Sequence, residues 1–400
     1  MDNFNAYLDS IKKSFNKAYK DEDVAAALEL NSVDLELPPT GIILDNPLLE
    51  YAFDRRFMAF GRCYLVYGKK GCSKTSLLFE LAKIFQREGG KMFWIETENA
   101  PDFNYMKLQG VDPANVIYHN PKSLEEALTL IKTIIENIPK FDPDSKTPIM
   151  IALDSVAGAA SDYERDQDII GQTKVGEHAK LMSNFYRHIV PYLESEKAIL
   201  VVTNQLKENI MAMSFGAEKP EALIGGEAQR FNSTYQFKVA RISDLLEPDH
   251  MGVKRKCGST HSLVVKRNKL GREGNSQKVE FNLYINGGID WYSPLVKHLG
   301  ETYPSLVGKT GGWYTWKIPG VKTKIITEDG EVIEGDIATD KKYRENELGE
   351  LIKQSVEAKE MCRKAFSIPD MPDPETTAAV EQKNKSKRKR KSKLESDLEN

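Results

Sequence analysis

Residues 62–85 constrain the fold more than any other stretch. An apolar run, YLVY (64–67), is followed by Gly68, Lys69, Lys70, Gly71, Cys72 and Ser73. Lys74, Thr75 and Ser76 then open an amphipathic segment that reaches Phe85. A buried strand that turns through glycines into a helix is the setting of a phosphate-cradling loop, G-x-x-x-x-G-K-[ST]. Backbone N–H groups of such a loop and of the helix N-terminus face an anion, and the helix dipole favours negative charge there. Residues 68–76 would surround the phosphates of ATP. Within them, Lys74 would reach the β- and γ-phosphates and Thr75 would hold Mg²⁺. The second glycine of the pattern is replaced by Ser73, and the reduced pattern is loose enough to arise by chance. The rest of the chain must decide.

From Tyr64 onward, strand and helix patterns alternate. Apolar strands are expected at 92–95, 149–153 and 199–203, with helices at 124–138 and 177–195. That order predicts an α/β fold with a mostly parallel sheet covered by helices. Antiparallel strands are expected at 234–241, 261–266 and 278–284. Residues 1–30 read as a helix, with Phe4, Tyr7, Leu8, Ile11 and Phe15 on one face. A short alternating strand follows at 33–37, before Pro38 and Pro39. These two elements either fold back on their own core or pack on a neighbouring subunit, the strand extending its sheet. The expected organisation is an N-terminal segment (1–39), a main α/β core (40–297), a small α+β unit (298–380) and a disordered basic tail (381–400).

Composition narrows the classes. The chain is 40% hydrophobic and 29% charged, which suits a folded core with charged appendages. It has no run of about 18 apolar residues that would span a membrane, and no secretory n- and h-region at its start. Cys63, Cys72, Cys257 and Cys362 are scattered without ligand spacing, so reduced thiols, a cytoplasmic setting and no zinc site are expected. The net charge of −3 hides an asymmetry, because residues 383–393 hold eight Lys or Arg in eleven positions. Without those eight charges the remainder stands at −11. A basic tail on an acidic body suits contact with a polyanion or an acidic protein surface.

Several polar residues fall at expected strand ends, where ligands bind in open α/β sheets. Asp154 follows the strand at 149–153, and there it would hold the water shell of Mg²⁺ opposite Thr75. Glu96 and Glu98 follow the strand at 92–95. Either can orient a water for attack on the γ-phosphate, and spacing does not choose between them. Asn204 and Gln205 end the strand at 199–203, where an amide can sense the γ-phosphate. A stretch without secondary-structure signal is expected from Leu206 to Arg230, carrying Lys207, Met213, Phe215, Gly225, Gly226 and Arg230. Basic groups for phosphates beside apolar groups that wedge between bases suit nucleic-acid binding.

Taken together these segments resemble the RecA family of homologous recombinases. The resemblance is carried by RCYLVYG (62–68), IETENAPD (95–102) with Tyr105, GVDP (110–113), LDSVA (153–157) and VTNQ (202–205). It continues through MSFG (213–216), GGEAQRF (225–231), VKRNK (265–269) and GGID (287–290), in matching order over about residues 40–315. GWY (312–314) resembles the branch found in T-even-type phages.

The resemblance implies a RecA-like ATPase core and an ATP-dependent recombinase that forms helical filaments on single-stranded DNA and pairs it with homologous duplex DNA. It implies that Glu98 is the catalytic glutamate and that Asp102 and Tyr105 contact adenine. Gln205 would be the γ-phosphate sensor, and Arg165 and Lys174 would lie in a first DNA-binding loop. Residues 213–230 would form the second DNA-binding loop. Arg267 and Lys269 would reach into the ATP site of an adjacent subunit, and the N-terminal helix and strand would be the polymerisation element. A single-strand-binding protein and a loader or mediator are the implied protein partners, and the host-cell cytoplasm the implied setting. A ring-forming motor of helicase type and a weakly catalytic DNA-binding regulator remain as alternatives. Ser73 and the basic tail are departures from the family pattern.

Overall fold

The computed structural model describes residues 40–98, 102–142, 144, 146–166, 176–208, 221–248, 250–271, 277–326 and 330–371. The helix expected over 1–30, the strand at 33–37, the basic tail, Lys174, Met213 and Phe215 lie outside them.

The chain begins with β1 (Gly41–Ile43), α1 (Pro47–Phe53), β2 (Phe57–Ala59), β3 (Arg62–Gly68), α2 (Lys74–Arg87) and β4 (Lys91–Glu96). It continues through α3 (Phe103–Leu108), β5 (Val116–His119), α4 (Leu124–Phe141), β6 (Ile149–Asp154), α5 (Asp162–Asp166) and α6 (Glu177–Leu193). Next come β7 (Ala198–Glu208), β8 (Glu221–Leu223), α7 (Ala228–Asn232), β9 (Tyr235–Pro248), β10 (Lys254–Asn268), β11 (Lys278–Tyr284) and β12 (Ile289–Asp290). The last part holds α8 (Tyr292–Thr302), β13 (Val307–Thr310), β14 (Trp313–Trp316), β15 (Lys322–Ile326), β16 (Val332–Asp336), α9 (Glu345–Gln354) and α10 (Val356–Ala365).

The central sheet has the order β12-β11-β10-β9-β3-β7-β6-β4-β5, with β8 attached to β7. From β9 to β5 the neighbours are parallel. Strands β10 to β12 add to them antiparallel. The α/β expectation therefore holds. The inner parallel strands, such as β3 and β6, are buried on both faces, and this explains their apolar runs. On β6, Met150 and Ala152 enter the core on one face, while Ile149, Ile151 and Leu153 enter the core on the other. The first face is covered by α2 through Leu77, Leu78, Leu81 and Phe85. The second is covered by α4 and α6, with Ile131, Ile135, Phe185 and Ile189 among the buried side chains. Ser123 starts α4 by accepting a hydrogen bond from Glu126 N–H, a conventional N-cap.

Beyond the sheet, Leu295, Val296 and Leu299 of α8 belong to the same continuous core as Trp316, Leu348, Ile352 and Phe366. The helix α8 runs across residue 297. No helix among the described residues is long and apolar enough to cross a membrane.

One expectation is corrected. Residues 206–230 are not structureless at their ends. Strand β7 continues to Glu208 and pairs with β8, Leu206 opposite Leu223 and Lys207 opposite Ala222. Helix α7 then begins at Ala228. The ends are ordered because Leu223 and Leu206 join a small apolar cluster with Leu65 and Tyr67. The long-range partner, not the local sequence, supplies the apolar surface. The expected strands near 235 and 261 are likewise longer than local patterning indicates, because β9 and β10 pair as an extended ribbon out to Pro248 and Lys254.

Candidate active site

Parallel pairing brings the polar strand ends together. Gly68 stands opposite Gln205 on the neighbouring strand, and Glu96 stands opposite Asp154. Four sequence segments thus meet at one edge of the sheet, the edge at which open α/β sheets bind ligands.

The loop between β3 and α2 has its shape forced by close approach. A Cβ on Gly68 would lie 2.2 Å from Val239 O and 2.6 Å from Cys72 Sγ, so only glycine fits. Ser73 precedes α2 with φ 69° and makes no side-chain cap to the helix. The first-turn N–H groups of α2 are thereby left to face an anion. Lys69 and Lys70 are exposed at the loop, whereas Lys74 is buried and donates from Nζ to Lys69 O at 3.2 Å.

Asp154 is pinned by two hydroxyls. Thr75 Oγ1 donates to Oδ2 at 2.6 Å and Thr203 Oγ1 donates to Oδ1 at 2.5 Å. Burial raises the Asp154 pKa, and the two hydroxyl bonds oppose that rise. A buried carboxylate beside a threonine hydroxyl, both at the phosphate-loop edge, is an all-oxygen donor set. It fits Mg²⁺, which keeps several waters and takes one or two protein oxygens.

Spacing left Glu96 and Glu98 equivalent, and their surroundings separate them. Glu96 is 5% exposed, and burial followed by the Asp154 charge pushes its pKa up to about 8. It accepts the Glu98 N–H at 2.7 Å. Glu98 is exposed, and its Oε1 accepts from Gln205 Nε2 at 2.8 Å and from Ser155 Oγ at 3.0 Å. Glu96 is thus an inward-facing group, biased toward its protonated form by burial, that supports the backbone of Glu98. Glu98 faces outward, aimed by two donors.

Gln205 is in turn coupled to the segment beyond it. Its backbone N–H donates to Asn204 Oδ1 at 2.7 Å. Asn204 is fully buried and donates from Nδ2 to Gln229 Oε1 at 2.9 Å and to Ile224 O at 2.6 Å. Gln229, also fully buried, donates to Ile224 O at 2.6 Å. Gly225 and Gly226 have φ of +80° and +73°. A Cβ on Gly226 would meet Ala179 Cβ of α6 at 2.8 Å. The glycine pair therefore lets the returning chain press onto α6 and Gln229. Ser155, Thr203, Gln229 and His261 carry no local sequence signal as site residues. Asn204 and Gln205 share the strand-end signal, and the structure separates them: Gln205 meets Glu98 whereas Asn204 is buried against Gln229.

The remaining candidates are distributed as follows. Tyr105 hydrogen-bonds through its hydroxyl with Ser76 Oγ at 2.9 Å, tying α3 to α2. Asp102 caps α3 by accepting the Tyr105 N–H at 2.9 Å. Arg165 is exposed on α5. Arg230 pairs with Glu227 at 3.3 Å and lies 5.9 Å from the centre of the Tyr67 ring. Lys207 lies in the β7 strand. Arg267 and Lys269 are not brought to this edge. Arg267 Nη1 donates to Arg230 O at 3.0 Å and Lys269 Nζ donates to Phe231 O at 2.6 Å. Arg267 stands opposite Gln236, and Gln236 opposite Leu65, three residues before Gly68. At about 3.3 Å per residue, that is roughly 10 Å back along the strand from the phosphate loop of the same chain.

The family model described as the RecA N-terminal domain matches residues 5–290 of this chain.

Proposed function

The chain belongs to the RecA family, and on that premise we propose that it is an ATP-dependent recombinase of the kind found in T-even-type phages, the UvsX recombinases. It polymerises on single-stranded DNA, holds the strand with its bases accessible, and pairs it with a homologous duplex. Family membership carries the coarser statement, a recombinase-type protein that acts as a DNA-dependent ATPase with ATP and Mg²⁺. One observation favours the finer one. A continuous hydrogen-bonded series runs from Glu98 through Gln205 and Asn204 to Gln229 and Ile224, at the base of the segment proposed to touch DNA.

In this reading the α2 N-terminus and Lys74 bind the phosphates, and Tyr105 stacks on adenine beside Asp102. Glu98 orients the attacking water. Thr75 and Asp154 would hold Mg²⁺, which when bound would supply positive charge against the phosphate oxygens. Gln205 exchanges its bond to Glu98 for one to the γ-phosphate and so reports nucleotide state to the DNA segment. Arg267 and Lys269 act on the ATP of a neighbouring copy, which suits their distance from their own loop. ATP then favours the assembled filament because two subunits hold it. The segment 1–39 serves polymerisation, and 298–380 forms a smaller accessory unit. Single-strand-binding and loader proteins are the proposed protein partners.

The test is ATPase activity with and without single-stranded DNA, followed by electron microscopy with DNA and a non-hydrolysable ATP analogue. Stimulated hydrolysis and helical filaments are expected. Closed hexamers would favour the ring-forming motor, and isolated particles without stimulation the weakly catalytic regulator. Replacing Gln205 with alanine should leave ADP binding unchanged and lower the DNA-stimulated rate by about 10–100-fold, the worth of one hydrogen bond to a charged group. A Gln205→Ala variant that DNA still stimulates as strongly as the parent would refute the coupling.

A further inference from the structure

Ser73 occupies a left-handed turn, φ 69°, immediately before Lys74. A Cβ is disfavoured in that conformation, which is why glycine is the usual occupant. The structure supplies a compensating contact. Ser73 Oγ lies 3.0 Å from His261 Nε2. Ser259 Oγ reaches the same nitrogen at 2.9 Å. His261 is 1% exposed and stacks on Phe281, with centroids 5.3 Å apart and planes 14° from parallel. In the sheet it stands opposite Arg241. Its buried Nδ1 meets no partner at ordinary hydrogen-bond geometry among the described residues, and the ring also lies against the Cys72 backbone, a second contact with the loop. Burial first and the Arg241 charge second lower its pKa to about 4, against the Cys72 backbone, which pulls it up. The ring is therefore neutral near pH 7, and Nε2, with one lone pair or one proton according to tautomer, is shared between the Ser73 and Ser259 hydroxyls.

We propose that His261 is a positioning residue for the phosphate loop, holding the turn ahead of Lys74 and Thr75 through the Ser73 hydroxyl. A tertiary hydrogen bond then does here what the absent side chain of glycine does in the usual loop. The contact also ties the loop to β10, the strand that leads on to Arg267 and Lys269. The inference rests on the nucleotide-site reading, and its test separates the two.

The test is a double-mutant cycle on the full chain, combining His261→Phe and Ser73→Gly. The phenyl ring keeps the stack on Phe281 and removes the nitrogen. The readouts are ADP affinity with Mg²⁺ by calorimetry, and KM and kcat for DNA-stimulated ATPase. His261→Phe alone should weaken ADP binding by about tenfold, the worth of one hydrogen bond. KM should rise in parallel, with kcat unchanged, as for lost uniform binding. In the Ser73→Gly background the same substitution should have a much smaller effect on either, since only the contact with the Cys72 backbone is then left to lose. Ser73→Ala, which keeps the strained Cβ and removes the hydroxyl, should reproduce the loss by a second route. Equal losses from His261→Phe with and without Ser73, or no loss with it, would overturn the proposal. A parent chain that binds ADP but shows no DNA-stimulated hydrolysis would sink the recombinase reading, while the cycle still reports on the loop through ADP. A parent that binds no ADP would sink both.

Discussion

Glu98→Gln should reduce DNA-stimulated ATP turnover by about 10²–10⁴-fold, the usual contribution of a positioned general base, with ATP and single-stranded DNA binding retained. The amide has the shape of the carboxylate. Its oxygen can still accept from Gln205 Nε2 and Ser155 Oγ, which now aim Glu98 from 2.8 and 3.0 Å. What disappears is the negative charge that orients and polarises the water. Glu96 cannot take over, because it is 5% exposed and turned toward the Glu98 backbone, whose N–H it accepts at 2.7 Å. The check is steady-state ATPase beside calorimetric ADP affinity and DNA-binding isotherms. Parental turnover in Glu98→Gln would remove Glu98 from the mechanism. A loss of nucleotide affinity equal to the loss in rate would make it a binding residue instead.

Arg363→Ala should destabilise the fold by about 3–5 kcal/mol, the range for stranding one partner of a buried ion pair. Arg363 on α10 grips Glu50 of α1 in a two-pronged pair, with Nε to Oε2 at 2.7 Å and Nη2 to Oε1 at 2.8 Å. Glu50 is fully buried, and the Arg363 side chain is 9% exposed. Truncating the arginine leaves a carboxylate with neither water nor a counter-ion. Asp45 extends the cluster to Arg363 at 3.2 Å and to Lys359 at 2.8 Å. Burial alone would raise the Asp45 pKa, but Lys359 and Arg363 outweigh it and hold the carboxyl below its ordinary 3.8. Its contribution is accordingly present above that pH and lost on acidification through the lowered folded value. Urea denaturation of the variant against the parent is the measurement. Replacing both partners, Glu50→Leu with Arg363→Met, should cost much less than Arg363→Ala, since no bare charge remains. Equal stability of Arg363→Ala and the parent would contradict the pairing.

These two cases mark where local reading succeeds and where it stops. Strand and helix are local periodicities, so β3, β6, α2 and α4 could be read from their own residues. The placement of Asp154 at a strand end followed from the apolar run before it, and Lys74 and Thr75 followed from the turn between strand and helix. The choice between Glu96 and Glu98 did not follow, because both carboxylates have the same local setting. Burial under the sheet edge and contacts from residues 57 and 107 positions away make them different. The order at the ends of the segment 206–230 has no local signal for a related reason. Their order comes from strand pairing and from Leu65 and Tyr67, none of which a local window contains.

By itself, then, the sequence determined the alternating architecture, the phosphate loop and the roster of polar strand ends, since each depends on spacing within about one element. Tertiary structure alone decided which of those groups meet and in what protonation state. It brought Ser73 to His261 across 188 residues and Glu50 to Arg363 across 313. Desolvation and charge pairing act through space, and a chain written in one dimension carries no record of which distant residue arrives to exclude the water.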